Sequence, residues 1–133
     1  MTRQEFCKML ASVFEKATIK VSDSLPYIFK LSQHKIDVLL TGSENFNMTD
    51  CFNFIQALNC TMEFDWEYCT ELSDLRVVLK NTRQYYDMSR RELSMKSGVH
   101  TNVISAFEDG RCTMKIDSFL RIADALNVAI TIE

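Results

Sequence analysis

Few of the side chains that do covalent or metal chemistry stand at a workable spacing in this sequence. Its two histidines, His34 and His100, have no companion Cys or His at ligand spacing, so no metal site is expected. The five cysteines, Cys7, Cys51, Cys60, Cys69 and Cys112, form no C-x-x-C pair and are odd in number, which reads as reduced thiols rather than a disulfide or zinc framework. No paired carboxylates, nucleophile-base constellation or Gly-rich phosphate loop stands out, so neither an enzyme nor a cofactor is expected. What remains is recognition chemistry. Seven basic residues, Arg76, Lys80, Arg83, Arg90, Arg91, Lys96 and Arg111, gather in one stretch of the second half. Inside that stretch lie the small side chains Thr101, Asn102, Ser105 and Ala106. A local basic face beside small polar groups suits an anionic polymer.

The elements that must hold these groups are short helices. Asp74 to Asp87 reads as a first helix with Leu75, Val78, Leu79 and Tyr86 inward. Ser89 is an N-cap three residues before Glu92, a capping-box arrangement that starts a second helix from Arg90 to about Ser97. Gly98 supplies the positive φ of a tight turn, and Val99 plugs the angle between helices. A third helix runs from Thr101 to Glu108 with Ile104 and Phe107 buried, which leaves Thr101, Asn102, Ser105 and Ala106 on the open side. Asp109-Gly110 ends it, and a fourth helix from Ile116 to Leu126 returns with Phe119, Leu120, Ala123 and Leu126 packed inward. Two short helices joined by a Gly-containing turn, with small polar side chains at the exposed start of the second, are the pattern of a helix-turn-helix reader.

The run from Met88 to Gly110, followed by Phe119 to Asn127, resembles the phage repressor and Cro-like (XRE-type) helix-turn-helix family over nearly the whole of that family's domain. The resemblance implies a transcriptional regulator that binds duplex DNA by inserting the helix Thr101 to Glu108 into the major groove. It puts Thr101, Asn102, Ser105 and Ala106 at base edges, where Asn pairs bidentately with adenine and Thr or Ser meets any base or a thymine methyl. It puts Arg90 and Arg111 on phosphates, with Arg91 and Lys96 as weaker phosphate candidates that also fit a plain solvated face. Arg83 and Glu108 match a partly buried ion pair that in the family joins the first and third helices. A different class of reading is a protein-interaction module, antitoxin-like or an assembly partner, that keeps the helix-turn-helix core without the DNA function.

Sliding the sequence against itself gives an offset of 68 residues at which Leu25 meets Leu93, Ile36 meets Ile104, Gly42 meets Gly110, and Ala57-Leu58-Asn59 meets Ala125-Leu126-Asn127. The apolar stripe Cys7, Leu10, Ala11, Phe14 likewise falls on Leu75, Val78, Leu79, Thr82. The chain therefore reads as two copies of one unit, 1–68 and 69–133. Each copy ends in period-two alternation, Thr61 to Tyr68 and Val128 to Glu133, which predicts a strand after each set of helices. The strands pair with each other, making a pseudo-dimer, or with those of a second chain, making a homodimer. The expected fold is mainly α: two lambda-repressor-like helix-turn-helix bundles in tandem, each followed by a short β-strand.

The first copy resembles the family more weakly, through Leu31 to Gly42 and Phe52 to Asn59. Lys30 stands at the turn position, Pro26 requires a second helix beginning near Ser22 or Asp23, and Ser22 and Ser43 replace the arginines at the phosphate positions. Glu15 and Leu40 replace the ion pair. Gln33, His34, Lys35 and Asp37 are its possible base readers, although Asp37 and Asp23 repel phosphate. This copy reads as a scaffold or protein-partner surface, with a second reader for an unlike half-site as the alternative.

Bulk composition agrees only in part. Three Gly and one Pro in 133 residues favour helices with short connections. The net charge of -3 argues mildly against a phosphate partner, but it is uneven: residues 1–68 hold six Lys+Arg against nine Asp+Glu, whereas 69–133 hold nine of each. The start Met-Thr-Arg-Gln-Glu-Phe is charged where a signal peptide is apolar, and no run approaches a membrane span, so the expectation is a soluble cytoplasmic protein with no membrane partner.

Overall fold

The computed structural model describes residues 1–17 and 25–133. The chain is mainly helical with one small sheet: α1 (Arg3–Lys16), α2 (Leu25–Phe29), α3 (Gln33–Thr41), α4 (Met48–Ala57), β1 (Met62–Phe64), β2 (Glu67–Cys69), α5 (Leu72–Tyr85), α6 (Arg90–Ser97), α7 (Thr101–Glu108), α8 (Ile116–Ala125) and β3 (Ile130–Ile132). No helix among the described residues is long and apolar enough to cross a membrane.

Backbone conformation recurs at the offset found in the sequence. Gly42 and Gly110 both take positive φ after α3 and α7, as do Asn59 and Asn127 after α4 and α8. At the turn before α3, Lys30 adopts φ 56, the counterpart of Gly98 at φ 78. A lysine thus holds the left-handed conformation that glycine holds more cheaply. Pro26 lies in the first turn of α2, where its missing N–H costs nothing. The start expected at Ser22 or Asp23 falls outside the described residues, as does the Leu25 side chain.

The two halves meet about a pseudo-twofold axis. β1 pairs antiparallel with β3, and Glu63 faces Thr131, its own counterpart at the 68-residue offset. A second crossing repeats the relation: Asn47 bridges Lys115, Met48 N–H donates to Met114 C=O at 2.8 Å, and Ile116 N–H donates to Phe46 C=O at 2.8 Å. One buried apolar cluster runs through both halves, and Phe64 of β1 packs on Phe119 of α8 with ring centroids 5.6 Å apart. Units of this size bury too little surface to be robust alone, so a shared core and sheet supply what each half lacks.

Two expectations are corrected. The alternating run Thr61 to Tyr68 is not one strand but a hairpin of β1 and β2, because Asp65 and Trp66 both take positive φ and form a two-residue turn whose twist suits antiparallel strands. The sheet order is therefore β2-β1-β3. Turning the chain there leaves Trp66 and Tyr68 exposed. Tyr86, expected inward, is exposed because α5 ends at Tyr85 and the chain leaves the helical stripe. No disulfide joins the cysteines: Cys7, Cys51 and Cys69 are buried, Cys60 is half-buried and Cys112 is exposed.

Candidate nucleic-acid interface

The second half presents the candidate site on α6 and α7. Ser89 Oγ accepts the Glu92 N–H at 3.0 Å while Glu92 Oε1 accepts the Ser89 N–H at 3.4 Å, so both side chains satisfy otherwise free donors at the start of α6. Gly98 ends α6, its N–H donating to Ser94 C=O at 2.9 Å. A Cβ added at Gly98 would meet nothing within 4 Å, so the demand for glycine comes from φ and not from crowding. Val99 is buried in the angle that follows. His100 then caps α7, Nδ1 accepting the Asn102 N–H at 3.0 Å. Sequence reasoning treated His100 as a lone histidine. Its place just before the first helical residue was the available signal.

Period 3.6 sets the faces of α7. Ile104 and Phe107 are fully buried, Asn102 is exposed, and Thr101, Ser105 and Ala106 are half-buried. Val103 is also exposed, so the outward face is mixed polar and apolar. Each half-buried side chain still offers part of its surface to a groove of matching width.

Beneath α7 the basic residues separate by role. Arg83 grips Glu108 through two bonds, Nε to Oε2 and Nη2 to Oε1, both at 2.8 Å, and Nη1 donates to Met88 C=O at 2.7 Å. The Arg83 side chain is 8% exposed and that of Glu108 is 0% exposed, so this pair ties α5 to α7 out of solvent. Arg76, two helical turns before Arg83, lies over the Phe107 ring at 4.7 Å and donates to the carbonyls of Phe107 and Cys112. Sequence reading counted Arg76 only as part of the basic cluster. Its seven-residue spacing from Arg83 puts both on one side of α5 and was the sign that they share a task.

Arg90, at the first position of α6, contacts two carboxylates: Nε donates to Glu108 Oε1 at 3.0 Å and Nη2 to Asp109 Oδ1 at 2.7 Å. Asp109, first, and Glu108 hold the Arg90 guanidinium above its ordinary pKa, while Arg90, first, holds the Asp109 carboxyl below the usual carboxylate range. Arg111 reaches the other oxygen of Asp109 at 3.5 Å and is 64% exposed. Arg91 and Lys96 are exposed and form no ion pair among the described residues, and Lys96 borders a shallow groove with Arg121 and Asp124. The structure thus brings Arg90 and Arg111 together at the end of α7 through one acidic residue, and leaves Arg91 and Lys96 apart from that cluster.

The candidate readers of the first half are engaged with their neighbours on and around α3. Gln33 Nε2 donates to Asp37 Oδ1 at 2.9 Å, His34 Nε2 lies 3.1 Å from Glu44 Oε2, and Lys35 Nζ lies 3.5 Å from Asp50 Oδ2. His34 and Lys35 also line a small hollow of about 210 Å³ that reaches Lys115 of the other half. Ser43 is exposed, whereas Ser22 and Asp23 lie outside the described residues. No cluster of His, Cys, Asp and Glu fit to hold a metal ion occurs among the described residues. No protein-family description, curated protein or solved structure matches the chain.

Proposed function

We propose that this chain is a sequence-specific duplex-DNA-binding transcriptional regulator of the phage repressor and Cro-like helix-turn-helix class, built as two lambda-repressor-like bundles in tandem. The observation that carries the reading is the α6–Gly98–α7 unit: a capped helix, a left-handed glycine turn, and a helix whose buried Ile104 and Phe107 leave Thr101, Asn102 and Ser105 outward. In this reading α7 enters the major groove, Asn102 offers its amide to an adenine edge, and Thr101, Ser105 and Ala106 meet neighbouring bases. Arg90 and Arg111 hold phosphate beside the groove, with Arg91 and Lys96 adding diffuse positive charge.

The first half serves chiefly as scaffold. Gln33, Lys35 and Asp37 are occupied by internal partners, His34 faces Glu44, and the phosphate position at Ser43 carries no charge. A protein-interaction role is favoured by a separate observation: Trp66, Tyr68 and Tyr85 are exposed around the hairpin and the end of α5. Salt separates the two readings, because phosphate contacts weaken steeply as salt rises and an apolar protein contact does not. The deciding experiment titrates the protein against a randomised duplex pool at two salt concentrations and sequences the bound fraction. A salt-sensitive enriched motif, lost in Asn102→Ala, supports the DNA reading. Absence of duplex binding at low salt, or an Asn102→Ala protein with unchanged preference, refutes the base-reading assignment.

A further inference from the structure

The two arginines best placed for phosphate share a carboxylate that already occupies them. Glu108 anchors Arg90 through Nε at 3.0 Å, which orients Nη1 and Nη2 toward Asp109 at 3.5 and 2.7 Å. Arg111 closes on the second Asp109 oxygen at 3.5 Å. A planar guanidinium edge fixed from behind, with a second cation beside it, matches the shape and charge of a phosphate as well as of a carboxylate. Asp109 is exposed on the surface and ends α7 in ordinary right-handed geometry, so nothing in the backbone requires an acid there.

We infer that the Asp109 carboxylate is an internal stand-in for phosphate: it fills the Arg90–Arg111 fork in the free protein and is displaced when a phosphate binds. The identification of that phosphate as a DNA backbone group rests on the DNA reading proposed above. Displacement makes binding a competition, so Asp109 lowers affinity for every sequence alike and leaves discrimination to contacts on the outward face of α7. It also prevents the fork from holding stray anions when that face is unengaged.

The test compares the intact protein with Asp109→Asn and Asp109→Ser, and with Asp124→Asn as a control that removes one negative charge from α8. Inorganic phosphate is titrated while the Arg90 Nε–H resonance is followed by NMR, and duplex binding is measured across a salt series. The expected result is phosphate binding at Arg90 in both Asp109 variants but not in the control. For duplex, affinity rises about tenfold at low salt, alike for every sequence, because no carboxylate has to leave the fork before phosphate enters it. Adding Arg90→Gln to Asp109→Asn removes the gain. Equal phosphate response in the intact protein and the variants overturns the inference, whatever the duplex does. Phosphate taken at Arg90 by the variants, with no duplex bound by any protein, sustains the stand-in and refutes the DNA reading.

Discussion

Replacing Glu108 with leucine should cost far more than replacing Arg83 with methionine, although the two side chains form one ion pair. The Glu108 carboxylate is fully buried and accepts from both Arg83 and Arg90. Removing it leaves the Arg83 guanidinium out of solvent with only the Met88 carbonyl as partner, while Arg90 retreats to Asp109 at the surface. An uncompensated buried charge costs about 3–5 kcal/mol. For a domain of this length that corresponds to a fall in Tm of about 10–20 °C. Arg83→Met leaves Glu108 still paired with Arg90 at 3.0 Å, so its loss should be smaller, roughly 1–3 kcal/mol. The double variant Arg83→Met/Glu108→Leu removes the stranded charge and should recover to within about 2 kcal/mol of the parent. Urea unfolding followed by far-ultraviolet circular dichroism gives all four free energies of the cycle. Equal losses in the two single variants, or a double variant no more stable than Glu108→Leu, would refute the argument that Glu108 is the shared anchor.

Further outcomes follow from the backbone and the thiols. Lys30→Gly should stabilise the protein by roughly 0.5–1 kcal/mol and Gly98→Ala should cost about 1 kcal/mol, since both positions need positive φ and the space at Gly98 is open; equal unfolding midpoints for Gly98→Ala and parent would contradict this. Burial pushes the Cys7 thiol up to about 11 and the Cys69 thiol up to about 12 from 9.0. The folded state keeps these thiols neutral while the unfolded chain ionises, so their contribution is full below pH 9.0 and is lost as pH rises through about 11 and about 12. Urea midpoints measured from pH 8 to 11 should therefore fall less steeply in Cys7→Ala/Cys69→Ala than in the parent, and iodoacetamide should label exposed Cys112 before either buried thiol.

Much of the second half was legible because its signals are local. Ser89 with Glu92, Gly98, and the spacing of Ile104 and Phe107 each act within a turn or two of helix, and the bounds of α6 and α7 agree with them. The helical faces were legible for the same reason, since period 3.6 needs no knowledge of what lies opposite. Tyr86 was misplaced where that period stops applying, one residue past the end of α5.

The hairpin was hidden in a run that alternates as a strand does. Asp65 and Trp66 are not the Asn-Gly or Asp-Gly pair that announces such a turn, and it is the pairing of β1 on both edges that makes the reversal worthwhile. Arg90 was legible as a cation at a helix start but not as one already held, because Glu108 and Asp109 lie far along the chain and approach only when α6 packs on α7.

By itself the sequence determined the helices of the second half, the Ser89 cap, most of their buried stripes and the 68-residue recurrence, all of which depend on neighbours within a few positions or on comparison of the chain with itself. Only the tertiary structure decided that Glu63 would face Thr131 across a pseudo-twofold axis, and that Arg76, Arg83, Arg90 and Arg111, four of the seven basic residues between Arg76 and Arg111, would be engaged internally. Those outcomes depend on which surfaces meet once the core closes. Charge and strand edges find partners by distance in space, a quantity that spacing along the chain does not contain.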